Sequence, residues 1–486
     1  MQTTLRKSAD PLIGSADAIV VFVPKPAVAA GSVAAADTAL GGLVGACIAD
    51  HEITGEVGQI AVIHTGGMIG APRLIVVGIG DNSIESWRAA GRAAGQRTRQ
   101  IKAGTVALAP DDADAPRVSA LVDGFAYGAY RFTRYKTAET DADIAALRVY
   151  SRVVTAAQLR RADRLAVAVA SARDLANTPA NDLTPTALAA RAHELADGTT
   201  GLSCTILERK DLHKLGAGAL LSVARGSAEP PKMIVLRYTP KRRTDKSEVL
   251  GLVGKAVTFD TGGISIKPAS GMEEMKMDMA GGAVVIESIG LVAQLGLPIE
   301  VVAVVPATEN MPSGTATRPG DVVRAMNGTT IEVINTDAEG RLILADALAY
   351  AATVAGATRI VDFATLTGAI VVALGEIYAG LFGSDDAWTD RVRTAGETSG
   401  DLCWPMPLHP GYAPLISSNV ADLANAAAKR QAGAVYAAQF LREFTDGLPW
   451  CHIDIAGTGM VGGAGTGFGV GLVLALAEQL GAARAA

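Results

Sequence analysis

The sequence predicts an α/β protein in two parts, the larger built on a mixed, mainly parallel sheet. Three observations carry this. Short apolar runs alternate with helical patterns along the whole chain. Hydrophobic residues make up 49% of the 486 residues but aromatics only 5%, so alanine, valine and glycine fill the cores, which suits helices packed closely on parallel strands. Isolated charges stand where apolar runs stop, and open α/β sheets bind ligands beyond their strand ends.

The length suits two domains with ample cores. In residues 1–170, Ala18 to Val23, Leu74 to Ile79 and Val106 to Ala109 read as strands. Ser83 to Ile101 and Val118 to Phe132 read as helices, and Thr137 to Asp143 as a polar surface loop. Val76-Val77-Gly78-Ile79-Gly80 hints at a phosphate loop but lacks the third glycine of a dinucleotide fingerprint, so a structural role is the simpler reading. Arg152 to Asn177 is an alanine-rich helix that links this part to the second, residues 171–486. There the expected strands are Met233 to Tyr238, Val249 to Phe259, Ile299 to Val305, Thr330 to Ile334, Arg359 to Phe363 and Trp450 to Ile455, with helices between them.

The chemistry concentrates in two clusters. In Asn335-Thr336-Asp337-Ala338-Glu339-Gly340-Arg341-Leu342, three charges alternate between a strand-like run and the helix-like run Leu342 to Leu348. Upstream, Lys255, Asp260 and Lys267 are set among apolar residues and glycines, and Met275-Lys276-Met277-Asp278-Met279 leads into a helical run, Ala283 to Ala293. Any one of these residues could be an ordinary buried ion pair. The two clusters together ask for more, because isolated charges in apolar surroundings are costly unless paired or bound to metal.

Four carboxylates, Asp260, Asp278, Asp337 and Glu339, balance two divalent ions. Two metals about 3.5–4 Å apart can activate water and polarise a carbonyl. Lys267 and Arg341 then leave the site net positive, which suits an anionic tetrahedral intermediate. Lys255 could add a ligand only as a neutral amine.

Rival chemistries lack their residues. His193-Glu194 starts like a helical zinc-protease motif, but position 197 is Asp. There is no convincing Gly-x-Ser-x-Gly elbow. Cys451-His452 reads as part of a core strand.

These residues closely resemble the leucyl aminopeptidase family, the hexameric two-metal cytosol aminopeptidases. The N-T-D-A-E-G-R-L signature is unchanged, and the G-K-x-x-x-F-D-x-G-G-x-x-x-K-P and M-K-x-D-M-x-G blocks match. So do Asn177 to Pro185, Ala316 to Val322, Ala364 to Ala369 and Ile453 to Gly457. Specific motifs cover residues 175–480, whereas the N-terminal third matches only in layout.

The resemblance implies a macro-like α/β N-terminal domain used in assembly and a larger catalytic domain. It implies one metal held by Lys255, Asp260, Asp278 and Glu339. The other would be held by Asp260, Asp337 and Glu339, with the Asp337 main-chain carbonyl. Zinc is the default, and manganese or magnesium is acceptable at the oxygen-rich position. Lys267 would bind the substrate carbonyl. Arg341 would hold a bicarbonate as general base for a metal-bridging water. Met275, Thr365, Gly368 and Ala456 would line the pocket for the first side chain, and the Leu366 carbonyl would help hold the free amine.

The expected activity is removal of the N-terminal residue, leucine or another apolar one, from peptides with a free N-terminus. The expected assembly is a homohexamer. Two departures bear on the pocket: Ala427 to Tyr436 differs from the family pattern, and the glycine-heavy Val461 to Gly471 is shortened. A two-metal phosphoesterase, a non-catalytic scaffold and a nucleotide binder are the alternatives.

A net charge of −6 gives no support for nucleic-acid binding. No secretory pattern opens the chain, and no apolar run reaches the about 18 residues of a membrane helix. Cys47, Cys204, Cys403 and Cys451 have no paired spacing and read as reduced thiols, so the expected location is the cytoplasm.

Overall fold

The structure is a computed structural model that describes residues 1–7, 10–111, 113–137, 143–429 and 431–482. The chain divides into two compact units, Met1–Ala170 and Ser171–Ala486. Of the expected loop Thr137 to Asp143, residues 138–142 lie outside the described residues.

The first unit holds a six-stranded sheet. Its spatial order is Gln2–Arg6, Ala146–Tyr150, Thr105–Ala109, Ala18–Val23, Arg73–Gly78 and Ile60–His64. Only the last pair is antiparallel. Ala18–Val23 is buried along its whole length, as an inner parallel strand covered on both faces should be. The helix Ile84–Gln100 is capped by the Ser83 hydroxyl. The helix Ala115–Ala129 starts three residues before the expected Val118, because Asp114 caps it and Pro116 fits its first turn.

The second unit is built on a larger mixed sheet. Its order is Cys403–Pro405, Ala379–Gly383, Trp450–Asp454, Arg359–Ala364, Val249–Gly254, Glu300–Asn310, Lys232–Tyr238 and Leu202–Leu207. Its central run, from Trp450–Asp454 to Glu300–Asn310, is parallel. Ala256–Asp260 also pairs in parallel with the far half of Glu300–Asn310. The helices Ala280–Leu295 and Glu339–Thr353 are buried over nearly all their length.

Three expectations need correction. Val249 to Phe259 is two strands, Val249–Gly254 and Ala256–Asp260, broken at Lys255. There the Lys255 amide donates to Phe363 O and its carbonyl accepts from Gly282 N, so the backbone leaves the ladder with its polar groups satisfied. Thr330 to Ile334 is not a main-sheet strand: Thr330–Glu332 belongs to a separate three-stranded sheet with Val322–Arg324 and Leu423–Ala424. The following helix starts at Glu339, so Glu339 and Arg341 lie in its first turn rather than in a loop. Among the described residues one helical stretch, Met272–Leu295, has the length and mean hydropathy of a membrane span, but it is interrupted by charges and 89% of its apolar window is buried in the protein, so the expectation of no long apolar run stands. That window averages over the Ala280–Leu295 core helix, which covers the sheet.

Candidate two-metal active site

The C-terminal ends of parallel strands meet around the clustered charges. Lys255 follows Gly254, Asp260 ends its strand, Thr365 follows Ala364, and Ala456 lies two residues beyond Asp454. This is where open α/β sheets hold ligands. Asp278 ends the short 3-10 helix Met272–Met277. Glu339 sits in the first turn of its helix, where the aligned peptide dipoles favour a carboxylate.

Six of the seven charged residues singled out from the sequence converge, and Arg341 follows Glu339 by two positions in the same helix. Lys255 Nζ is 2.8 Å from Asp278 Oδ1, 2.9 Å from Glu339 Oε1 and 2.9 Å from Thr365 O. Lys267 Nζ is 2.8 Å from Asp260 Oδ2 and 2.5 Å from Asp337 Oδ1. Asp260, Asp337 and Glu339 each offer an oxygen within 4.8 Å of the others. Lys255, Asp260, Asp278, Glu339 and Arg341 are buried. The Lys267 and Asp337 side chains stay 21% and 32% exposed, so this is the more open side of the cluster.

Two glycines make the crowding possible. A Cβ on Gly340 would lie 2.7 Å from Lys255 Nζ. Gly262, at φ +85°, turns the chain after Asp260, and a Cβ there would lie 2.5 Å from Ser265 O.

Electrostatics divides the acids. Burial raises Asp260 to about 6, with the Glu339 charge adding and both lysines opposing. Burial also pushes Asp278 well up, against the pull of Lys255. Asp337 moves up for the same first reason, against Lys267. Glu339 alone is lowered: burial opposes its charge, but Lys255 and Lys267 outweigh burial. Burial likewise opposes the charges on Lys255 and Lys267, yet the surrounding carboxylates raise both. Among the protein's own charges Lys255 is thus an ammonium, and it must lose its proton before it can act as a ligand.

The donor set fits divalent cations. Asp278 Oδ2 and Glu339 Oε2 are buried without a hydrogen-bond partner, and unpaired carboxylate oxygens in a dry site are costly unless a cation neutralises them. Hard oxygen donors with one amine suit zinc, manganese or magnesium.

Arg341 is held on two sides. Its Nη1 donates to Asn425 O at 2.7 Å, and its guanidinium carbon lies 5.1 Å from the centre of the Tyr436 ring. Its Nε is buried without a partner, a donor open to an anion. Thr365 is buried, its hydroxyl donating to Asp278 Oδ1 at 2.6 Å. Leu366, Ala456 and Met275 are half-buried, and Gly368 is exposed at the start of the helix Gly368–Leu374. His452 sits in the core, its Nδ1 2.6 Å from Asp362 Oδ1.

Three residues absent from the candidate set support the site. Asn310 Nδ2 donates to Asp260 Oδ1 at 2.8 Å and to Thr336 O at 3.0 Å, joining the two clusters. Asn425 holds the loop before Glu339. Asp454 holds the turn after Ala364. Only Asp454 falls in a block singled out from the sequence.

Comparison with known proteins places the chain in a family. Residues 170–474 match the family model described as cytosol aminopeptidase family, catalytic domain, and residues 19–139 match its N-terminal domain. A probable cytosol aminopeptidase of Solibacter usitatus is 48% identical over 84% of this chain and 86% of its own. One from Syntrophotalea carbinolica is 42% identical over 91% and 93%. Among solved structures, a tomato leucine aminopeptidase mutant aligns with a TM-score of 0.89 at 31% identity, covering 99% of this chain and 96% of that one. The bottromycin maturation enzyme BotP in complex with Mn aligns at 0.84 and 34%, covering 96% and 100%. With the strand-end carboxylates, the two lysines and these matches together, the chain belongs to the cytosol aminopeptidase family.

Proposed function

We propose that this aminopeptidase removes the N-terminal residue, preferably leucine or another apolar one, from peptides at a two-metal centre. The observation that carries the reading is the pair of buried, unpartnered oxygens, Asp278 Oδ2 and Glu339 Oε2, beside the Asp260–Asp337–Glu339 cluster. Lys255, Asp260, Asp278 and Glu339 would hold one cation. Asp260, Asp337 and Glu339 would hold the other, with the Asp337 carbonyl. Bound there, divalent cations would supply an activated water and polarisation of the scissile carbonyl.

The protein's own groups do the rest. Lys267, partly exposed and held charged by Asp260 and Asp337, donates to the carbonyl oxygen as negative charge grows there. Arg341 offers its buried Nε to a bicarbonate, which has the chemistry of a general base. The Leu366 carbonyl accepts from the substrate's free amine. Met275, Thr365, Gly368 and Ala456 line the first side-chain pocket, and the apolar preference follows from these small or apolar walls.

We assign residues 1–170 as a macro-like N-terminal domain and 171–486 as the catalytic domain, in a cytoplasmic homohexamer. A nucleotide-binding role for the first unit finds no support at its strand ends. A cavity of about 380 Å³ lies there. Asp111 Oδ2, however, already accepts the Ser32 amide and hydroxyl at the start of the helix Gly31–Ala39, where a phosphate would sit.

The test is release of leucine from leucine amide by protein stripped with chelator and refilled with zinc or manganese. Metal should restore turnover in the parent. Lys267→Ala should lose about 10²–10³-fold in kcat, and Glu339→Ala should lose metal as well. A folded, metal-loaded parent without turnover would overturn the reading.

A further inference from the structure

Two irregular segments supply most of the proposed pocket: the turn after Ala364, with Thr365, Leu366 and Gly368, and the turn after Asp454, with Ala456. One side chain joins them. Asp454 is the last residue of the strand Trp450–Asp454 and is fully buried. Its Oδ1 accepts from Leu366 N at 3.1 Å, Thr367 N at 3.4 Å and Ala456 N at 3.2 Å. Its Oδ2 accepts from the Thr367 hydroxyl at 2.7 Å. That hydroxyl in turn accepts from Ile370 N at 3.3 Å and so caps the helix that begins at Gly368.

The same turn is tied on its other side to the charged cluster. Thr365 donates its hydroxyl to Asp278 and its carbonyl accepts from Lys255. The Leu366 carbonyl therefore has one neighbour fixed against the cluster and the other fixed to Asp454. Ala456 hangs from the same carboxylate. The distance between the amine-holding carbonyl and the pocket wall is set through Asp454.

We infer that Asp454 is a positioning residue that fixes the first side-chain pocket against the amine-holding Leu366 carbonyl and thereby determines which N-terminal residues are cut. The inference rests on the proposed roles of Leu366, Gly368 and Ala456. Asp454→Ala frees three amides and a hydroxyl at once, and both turns can shift. Asp454→Asn keeps an oxygen for the amides, and its Nδ2 can donate to the Thr367 hydroxyl, so the turns stay joined.

The experiment compares holoenzyme kinetics on leucine amide and alanine amide for the parent, Asp454→Ala, Asp454→Asn and Thr367→Val. Metal content is measured on each. In Asp454→Ala the leucine-to-alanine ratio of kcat/KM should fall about tenfold, the scale of a lost pocket contact, chiefly through KM and with metal content unchanged. Asp454→Asn should keep the ratio within about threefold. Thr367→Val, which loses only the hydroxyl, should lie between them, and it carries the test if the alanine variant does not fold. An equal loss on both amides, or no loss, in folded and metal-loaded variants would overturn the inference. An inactive parent would instead sink the functional reading, and the inference with it.

Discussion

Asn425 O accepts a 2.7 Å hydrogen bond from Arg341 Nη1, while the Asn425 side chain grips the loop that carries Asp337. Its Oδ1 accepts from Ile334 N at 2.8 Å and Asn335 N at 3.3 Å. Its Nδ2 donates to Asn335 O at 2.7 Å and Ala338 O at 3.3 Å. One fully buried residue thus orients both the metal-ligand loop and the arginine that follows it.

Asn425→Ala should destabilise the protein by about 1–3 kcal/mol, since it leaves partly buried backbone groups of the loop unpaired. It should weaken metal binding about 10–100-fold, as loss of groups that orient ligands does. Urea unfolding and metal titration check both. Asn425→Asp should be no better, because a carboxylate cannot donate to Asn335 O and Ala338 O.

Gly340→Ala should leave the helix intact, since alanine favours helix over glycine. Its Cβ, however, would lie 2.7 Å from Lys255 Nζ. The expected outcome is a melting temperature near the parent's with metal content well below it, measured by elemental analysis.

Arg341→Lys keeps the charge but loses the planar fork and the contact with the Tyr436 ring. It should lower kcat about 10–100-fold with little change in metal content. Tyr436→Leu removes only the ring contact and should cost about threefold to tenfold. Steady-state kinetics on leucine amide, with and without added bicarbonate, separates the two.

Asp346 gives a pH prediction away from the metals. It is buried in the helix Glu339–Thr353 and accepts from Leu220 N at 2.8 Å and Met326 N at 2.7 Å. Burial raises its pKa from 3.8 to about 7, against those hydrogen bonds. The folded state therefore holds a proton that the unfolded chain has lost between those values. The group's stabilising contribution is full below 3.8 and fades as pH rises through about 7. Asp346→Asn should remove that slope from stability measured against pH. It should also cost about 1–3 kcal/mol throughout, because one of the two amides then faces an NH2.

The central strands and the charged clusters were legible because both are local patterns. Ala18–Val23 is an uninterrupted apolar run, and Asn335 to Leu342 carries its charges in one short stretch. The break at Lys255 was only half legible: Gly254-Lys255 punctuates the run, but the partners that stabilise the break, Phe363 and Gly282, come from elsewhere. Thr330–Glu332 looked like a main-sheet strand because pairing partners leave no trace in a short apolar run. Asn425 and Asn310 were invisible for a related reason. Their partners lie 84 to 91 and 26 to 50 positions away, and an isolated asparagine carries no periodicity.

The most direct measurement is a crystal structure of manganese-loaded protein with anomalous scattering at the manganese edge. The two-metal account predicts two peaks, both contacted by Asp260 and Glu339, with Lys255 and Asp278 beside one and Asp337 beside the other. A single peak, or peaks away from these carboxylates in an active, manganese-loaded crystal, would contradict it.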